Sequence, residues 1–148
     1  MSEPSGPVVN HIGQCVADLD RATRFWCDVL GFTVDRPDLT VPDAMMGPMF
    51  GIEGPVGLTA RYLRCGSYVH ELLHFDRPGN PPAARRTIVD PGLTHVSVCV
   101  EDVPATLAAA RELGAEVTFE SPQAAVLRDP DGQLVEILPM AYRQSLPS

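Results

Sequence analysis

The second half of this chain repeats its first half, and that repeat narrows the choice of folds more than any other feature. His11-Ile12-Gly13-Gln14-Cys15-Val16-Ala17-Asp18-Leu19 aligns with His95-Val96-Ser97-Val98-Cys99-Val100-Glu101-Asp102-Val103 at an offset of 84 residues, and His, Cys, Val and Asp coincide. After a one-residue gap, Ala22-Thr23 matches Ala105-Thr106 and Leu30-Gly31 matches Leu113-Gly114. The ends of the halves match too: Leu63-Arg64 with Leu127-Arg128, then Glu71-Leu72-Leu73 with Glu136-Ile137-Leu138. Each half therefore opens on a segment carrying His and closes on one carrying Glu. An internal repeat decides architecture before local detail does. The stretch Arg77-Pro78-Gly79-Asn80-Pro81-Pro82 reads as a break between the halves. The expected organisation is a first module over 7–76, a linker over 77–92 and a second module over 93–140.

Apolar periodicity predicts the elements. In the first half these are a strand over 8–16, a helix over 20–30 and strands over 32–35, 58–64 and 68–75. Asp18 or Asp20 is the N-cap candidate, because a short side-chain oxygen satisfies the free amides of the first turn. Gly31 stands where a left-handed residue ends a helix most cheaply. The second half repeats the order: strand 93–100, helix 104–113, and strands 116–119, 124–127 and 134–138, with a turn at Asp129-Pro130-Asp131-Gly132. The reading is β-α-β-β-β, twice.

Composition removes several function classes. The net charge of −8 and pI near 4.8 oppose a nucleic-acid backbone as partner. All 11 basic residues are Arg, and without Lys there is neither a Schiff-base lysine nor a P-loop lysine. The four cysteines lack C-x-x-C spacing. Cys15 and Cys99 lie in apolar alternating runs, where reduced, buried thiols are expected. No apolar run approaches the roughly 20 residues that span a bilayer. The N-terminal Met1-Ser2-Glu3-Pro4-Ser5-Gly6-Pro7 lacks the basic start and apolar run of a signal peptide, so a cytoplasmic location is the default.

Strand side chains alternate between faces, so residues in register on neighbouring strands can share a face. If the repeat is structural, His11 and His95 become pseudo-symmetry mates, as do Glu71 and Glu136. Two imidazoles and two carboxylates make a plausible octahedral N/O site for a divalent metal, with positions left for water or substrate. A lone strand His is usually just a satisfied polar residue. A Glu within an apolar strand is odder, since a buried carboxylate is costly without a partner. Alternation from Glu71 sends His70 and His74 to the opposite face, expected to be the outer one.

Residues 11–34, residues 95–117 and the ending Leu127-Arg128-Asp129-Pro130-Asp131-Gly132-Gln133-Leu134-Val135-Glu136 resemble the vicinal oxygen chelate superfamily, which contains glyoxalase I and methylmalonyl-CoA epimerase. The resemblance spans nearly the whole chain apart from about 37–55 and the tails. It implies an α+β fold in which paired βαβββ modules form an incompletely closed eight-stranded barrel. It also implies His11, Glu71, His95 and Glu136 as ligands of a divalent ion, whether nickel, cobalt, manganese, zinc or iron. The implied activity is that of a lyase or isomerase acting on a small carbonyl compound through a metal-stabilised enediolate. Glu136 or Glu71 would move the proton. The resemblance implies a homodimer as well, and leaves open whether the cleft lies within one chain or between two.

Tyr62, Trp26, Phe50 and Met45-Met46-Gly47-Pro48-Met49 are candidates to wall or cover an apolar pocket. Arg61, Arg64, Arg85 and Arg86 are candidates to hold an anionic substrate. The superfamily also holds Fe(II) extradiol-type dioxygenases and non-catalytic drug-binding resistance proteins. A fourth protein ligand disfavours the first, and a complete ligand set the second.

Overall fold

The computed structural model describes residues 6–143, so most of the N-terminal stretch read against a signal peptide lies outside the described residues. The repeat is structural. In the first half, β1 (Ile12–Cys15) leads into α1 (Leu19–Arg24), and in the second, β6 (His95–Val100) leads into α3 (Val103–Glu112). Equivalent aspartates cap both helices: Asp18 accepts from the Arg21 amide and Asp102 from the Ala105 amide, each at 2.9 Å. Where one α-helix was expected over 20–30, α1 passes into a π turn at Phe25–Val29. Gly31, at φ 76°, ends it as expected.

The remaining strands of the first half are β2 (Thr33–Val34), β3 (Leu39–Thr40), β4 (Leu58–Cys65) and β5 (Tyr68–Phe75). Those of the second are β7 (Glu116–Glu120), β8 (Ala125–Arg128) and β9 (Leu134–Pro139). The two sheets share one topology, β1-β5-β4-β2 and β6-β9-β8-β7, with β3 also paired to β4. Register is repeated as well. In the two parallel pairs, Gly13 lies opposite Glu71 and its repeat mate Ser97 opposite Glu136.

Two features depart from a strict repeat. The region 37–55, to which the sequence assigns no element, holds β3 and a helix, α2 (Asp43–Phe50). α2 contains Pro48 and is held by packing of Met46 with Val56 and Leu58, and against Leu73 and Phe75. β1 is also shorter than the expected 8–16, because Val8 and Val9 stand exposed in solvent.

The strands form α+β architecture with two separate sheets. No strand of one pairs with a strand of the other among the described residues, so the expected barrel does not form within one chain. A single core joins the modules instead. It gathers Phe25, Trp26, Leu63 and Leu72 from the first and Val98, Leu107, Leu127, Val135 and Ile137 from the second. α1, α3 and the face of each sheet that they cover contribute to it. Fully burying side chains of this size is worth roughly 1.5–3 kcal/mol each, which makes this core the main adhesive between the modules.

The cysteines correct an expectation. All four are free, but Cys15 is exposed and Cys99 only half-buried. Alternation explains it: their strand neighbours Gln14, Val16 and Val98 face the core, so the two thiols face away from it. Among the described residues no helix is long and apolar enough to cross a membrane.

Candidate metal centre

The core fixes which residues occupy the opposite face of each sheet. In β5, His70 and Leu72 are 2% and 0% exposed on the core side, so Glu71 turns outward from the core. In β9, Val135 and Ile137 are both fully buried on the core side, so Glu136 turns outward likewise. His11 Nε2 lies 3.0 Å from Glu71 Oε2, and His95 Nε2 lies 3.9 Å from Glu136 Oε2. The four expected ligands are thus brought together two by two, one pair on each sheet. Among the described residues no group of three or more His, Cys, Asp or Glu stands ready for a metal ion.

Both imidazoles are oriented in the same way. His11 Nδ1 bonds Asn10 Oδ1 at 2.6 Å, and His95 Nδ1 bonds Thr94 Oγ1 at 2.8 Å. Asn10 and Thr94 are themselves repeat mates. In the first pair the Asn10 amide oxygen only accepts, so His11 Nδ1 carries the hydrogen, and in the neutral ring Nε2 then presents a lone pair. That lone pair faces a carboxylate oxygen, an arrangement that a shared cation stabilises. Two donors in adjacent octahedral positions, each about 2.1 Å from an ion, stand about 3.0 Å apart, and His11 and Glu71 already have that spacing. The Nδ1 partner is the usual outer contact that sets a histidine ligand's tautomer. The residues present therefore fit a divalent metal.

The pairs differ in how firmly they are held. The Glu71 side chain is only 12% exposed. Tyr62 sits opposite Glu71 in the β4–β5 register and meets the His11 ring edge-on at 5.5 Å. The neighbouring Glu71 carboxylate, followed by burial, pushes the Tyr62 phenol up to about 12. The Glu136 side chain is 35% exposed and farther from its histidine. Gly13, beneath Glu71, leaves little spare room: a Cβ there would stand 3.3 Å from Glu71 Oε2.

The flanking histidines do face away from Glu71, but His70 is in the core rather than on an outer surface. Its ring stacks on Trp26 at 4.3 Å, and burial lowers its pKa to about 4. His74 Nδ1 lies 3.3 Å from the Val16 carbonyl. Trp26 is fully buried in the core, which removes it from any pocket wall, whereas Phe50 is 44% exposed and packs on Phe75. Leu73 and Phe75 share a strand face with Glu71, so α2 covers one end of the face that carries Glu71.

Most of the expected anion-binding arginines are otherwise engaged. Arg61 is on the core side, bonded to Asp38, Asp20 and Thr23. Arg85 donates two parallel hydrogen bonds to the Glu116 carboxylate, and Arg86 reaches the Leu93, Asp90 and Pro91 carbonyls. Arg64 shares Asp35 with Arg36. Arg36 itself escaped the sequence reading because it follows a two-residue strand with no periodic signal. Its guanidinium carbon lies 4.7 Å above the Tyr62 ring centre. Two surface hollows, one beside Arg128 and Glu116 and one between Arg24 and Glu112, lie away from both His–Glu pairs.

The sequence profile described as the glyoxalase/bleomycin resistance protein/dioxygenase superfamily matches residues 8–137. Among solved structures, the trypanothione-dependent glyoxalase I of Leishmania major is 26% identical, with a TM-score of 0.68 over 92% of this chain and 88% of that one. A glyoxalase family protein of Bacillus cereus superposes with a TM-score of 0.77 at 20% identity, covering 93% and 96% of the two chains. The fold is shared too with the fosfomycin resistance protein FosX of Listeria monocytogenes. A mutant of it complexed with Mn(II) and 1S,2S-dihydroxypropylphosphonic acid gives a TM-score of 0.58 at 14% identity, over 89% and 91%. No curated relative matches the chain.

Proposed function

The chain belongs to the glyoxalase/bleomycin resistance protein/dioxygenase superfamily, and on that basis we propose that it is a divalent-metal-dependent lyase or isomerase acting on a small carbonyl compound. The observation that carries this reading is the pair of equivalent His–Glu couples. Both lie on faces turned from the core, and both have Nδ1 held by the preceding side chain so that Nε2 is aimed at the carboxylate.

Because the modules join through their helix-covered faces, the ligand-bearing faces cannot meet within one chain. The site is completed in a homodimer, with His11 and Glu71 from one copy and His95 and Glu136 from the other. The module over 7–76 of one copy and that over 93–140 of its partner would close the incomplete eight-stranded barrel, with 77–92 as the linker. The exposed Phe119 and Leu93 of the second module and Met45, Met49 and Phe50 of α2 suit such an interface and cleft wall.

A divalent ion bound by these four residues supplies the positive charge that makes a proton next to a carbonyl easier to remove. Glu71, fixed by His11, orients and holds. Glu136, less enclosed and farther from its histidine, has the freedom to take that proton as base and return it as acid. Elemental mass spectrometry on gently purified protein tests the reading. About one transition metal per chain, lost in the His11→Ala/His95→Ala variant, supports it. Protein that takes up none of nickel, cobalt, manganese, zinc or iron on reconstitution refutes it. Glu136→Gln is expected to keep its metal and lose turnover, and full turnover would rule out the base assignment.

A further inference from the structure

We infer that Arg36 is a specificity residue that recognises a carboxylate carried by the substrate a few atoms from its metal-chelating oxygens. The inference rests on the site reading above and adds the chemistry of the substrate.

Three contacts form a continuous path from the His11–Glu71 couple to Arg36. Tyr62 lies opposite Glu71 in the β4–β5 register and meets the His11 ring at 5.5 Å, and the Arg36 guanidinium lies over the Tyr62 ring at 4.7 Å. Those two separations keep the guanidinium within about 10 Å of the His11 ring. A guanidinium on an aromatic face gains cation–π stabilisation and stays oriented, so less freedom is lost when an anion arrives.

Local charge leaves an anion to be bound. Asp35 is the carboxylate that faces Arg36, through Nε at 2.8 Å and Nη2 at 2.6 Å. The same Asp35 also takes Arg64 Nε at 2.5 Å. Two guanidiniums thus share one carboxylate, and the cluster retains one positive charge. Asp35 is anchored from below by its backbone, whose amide donates to the Tyr62 carbonyl at 2.8 Å. Arg36 is 53% exposed and has unused N–H donors among the described residues, whereas Asp35 is only 14% exposed. The charge is therefore presented to solvent on the side where Tyr62 borders the ligand pair, in a protein whose net charge is −8. An exposed guanidinium in an acidic protein draws an anion to one place, and the negative surface repels it elsewhere.

The experiment compares two O,O-chelating probes on metal-reconstituted protein: acetohydroxamate, which lacks a carboxylate, and succinohydroxamate, which carries one beyond two methylenes. In Arg36→Gln, affinity for succinohydroxamate is expected to fall about tenfold, while acetohydroxamate affinity and metal content stay at wild-type levels. Arg36→Lys should recover part of the loss. Equal loss of both probes, or loss of neither, overturns the inference while leaving the metal site in place. Should wild-type protein take up no metal, the functional reading fails separately, and metal-free protein still decides on Arg36. Succinate, but not neutral succinamide, should shift the Tyr62 ring signals in NMR spectra of wild type and not of Arg36→Gln. No succinate shift in wild type overturns the inference.

Discussion

Replacing Gln14 with leucine removes the middle link of a buried polar chain that ties the two modules together. Gln14 is 9% exposed, and its Nε2 donates to Asp129 Oδ2 at 2.7 Å across 115 residues of sequence. An ionised Asp129 only accepts, which sets the direction of every other bond. Gln14 Oε1 must accept from His70 Nε2 at 2.8 Å, and His70 Nδ1 must accept from the Tyr68 hydroxyl at 2.8 Å. Asp129 Oδ1 meanwhile takes the amides of Asp131 and Gln133 at 2.9 Å each. Leucine would leave the His70 N–H and one Asp129 oxygen without partners in a dry core. Each orphaned group costs roughly 1–3 kcal/mol, and the added apolar burial returns about 1 kcal/mol. The expected net loss is about 3 kcal/mol, or a Tm lower by roughly 6–12 °C at this chain length. Urea unfolding should show a lower midpoint at unchanged m-value. In a His70→Phe background one orphan is already gone, so the same substitution should cost about 1–2 kcal/mol less. A loss under about 1 kcal/mol, or an identical loss in both backgrounds, would refute the argument.

Acid is expected to destabilise the fold through His70. Burial lowers its pKa from 6.5 to about 4, so on acidification the unfolded chain takes up the proton first. Stability is therefore undiminished above the ordinary histidine value and falls as pH drops through that window, by about 3 kcal/mol in total. Asp129, raised by burial, contributes the opposite trend across the carboxylate range, so the His70 part is read as the difference between wild type and His70→Gln. Parallel pH profiles would contradict it. Two glycines provide a matched pair for steric strain. Gly57 has φ 63°, and a Cβ there would stand 2.3 Å from the Asp76 carbonyl oxygen, whereas Gly51 at φ 66° has nothing within 4 Å. Alanine should cost about 1 kcal/mol at Gly51 and at least about 3 kcal/mol at Gly57, measured by thermal unfolding. Similar costs at both positions would show that the Asp76 contact relaxes freely.

The repeat made the interior of each module legible. The order of elements in each half, a cap at Asp18 and the placement of His70 and His74 on the face opposite Glu71 all follow from local patterns that a sheet and a helix must obey. α2 was not legible because Asp43-Ala44-Met45-Met46-Gly47-Pro48-Met49-Phe50 has glycine and proline where a helix tolerates them poorly. Contacts of Met46 with Val56 and Leu58 override that preference. Alternation placed Cys15 and His11 on one face, yet could not say which face is covered. That choice depends on which surfaces of the two modules meet, and contacts such as Gln14 with Asp129 and the Ala17 amide with Asp131 settle it over more than a hundred residues of separation. The division of His11, Glu71, His95 and Glu136 into two couples follows from that packing. Arg36 was hidden for a related reason, since a stacking contact across strands leaves no periodic trace.

The most direct test of the account is complementation between two half-dead chains. One carries His11→Ala/Glu71→Ala and the other His95→Ala/Glu136→Ala; they are co-expressed with different tags, and the mixed dimer is purified for metal analysis. A site shared between copies leaves one intact His–Glu–His–Glu set in each mixed dimer, so about one metal per two chains is expected, and none in either variant alone. A mixed dimer without metal, from a protein whose wild type binds about one per chain, would contradict the shared site.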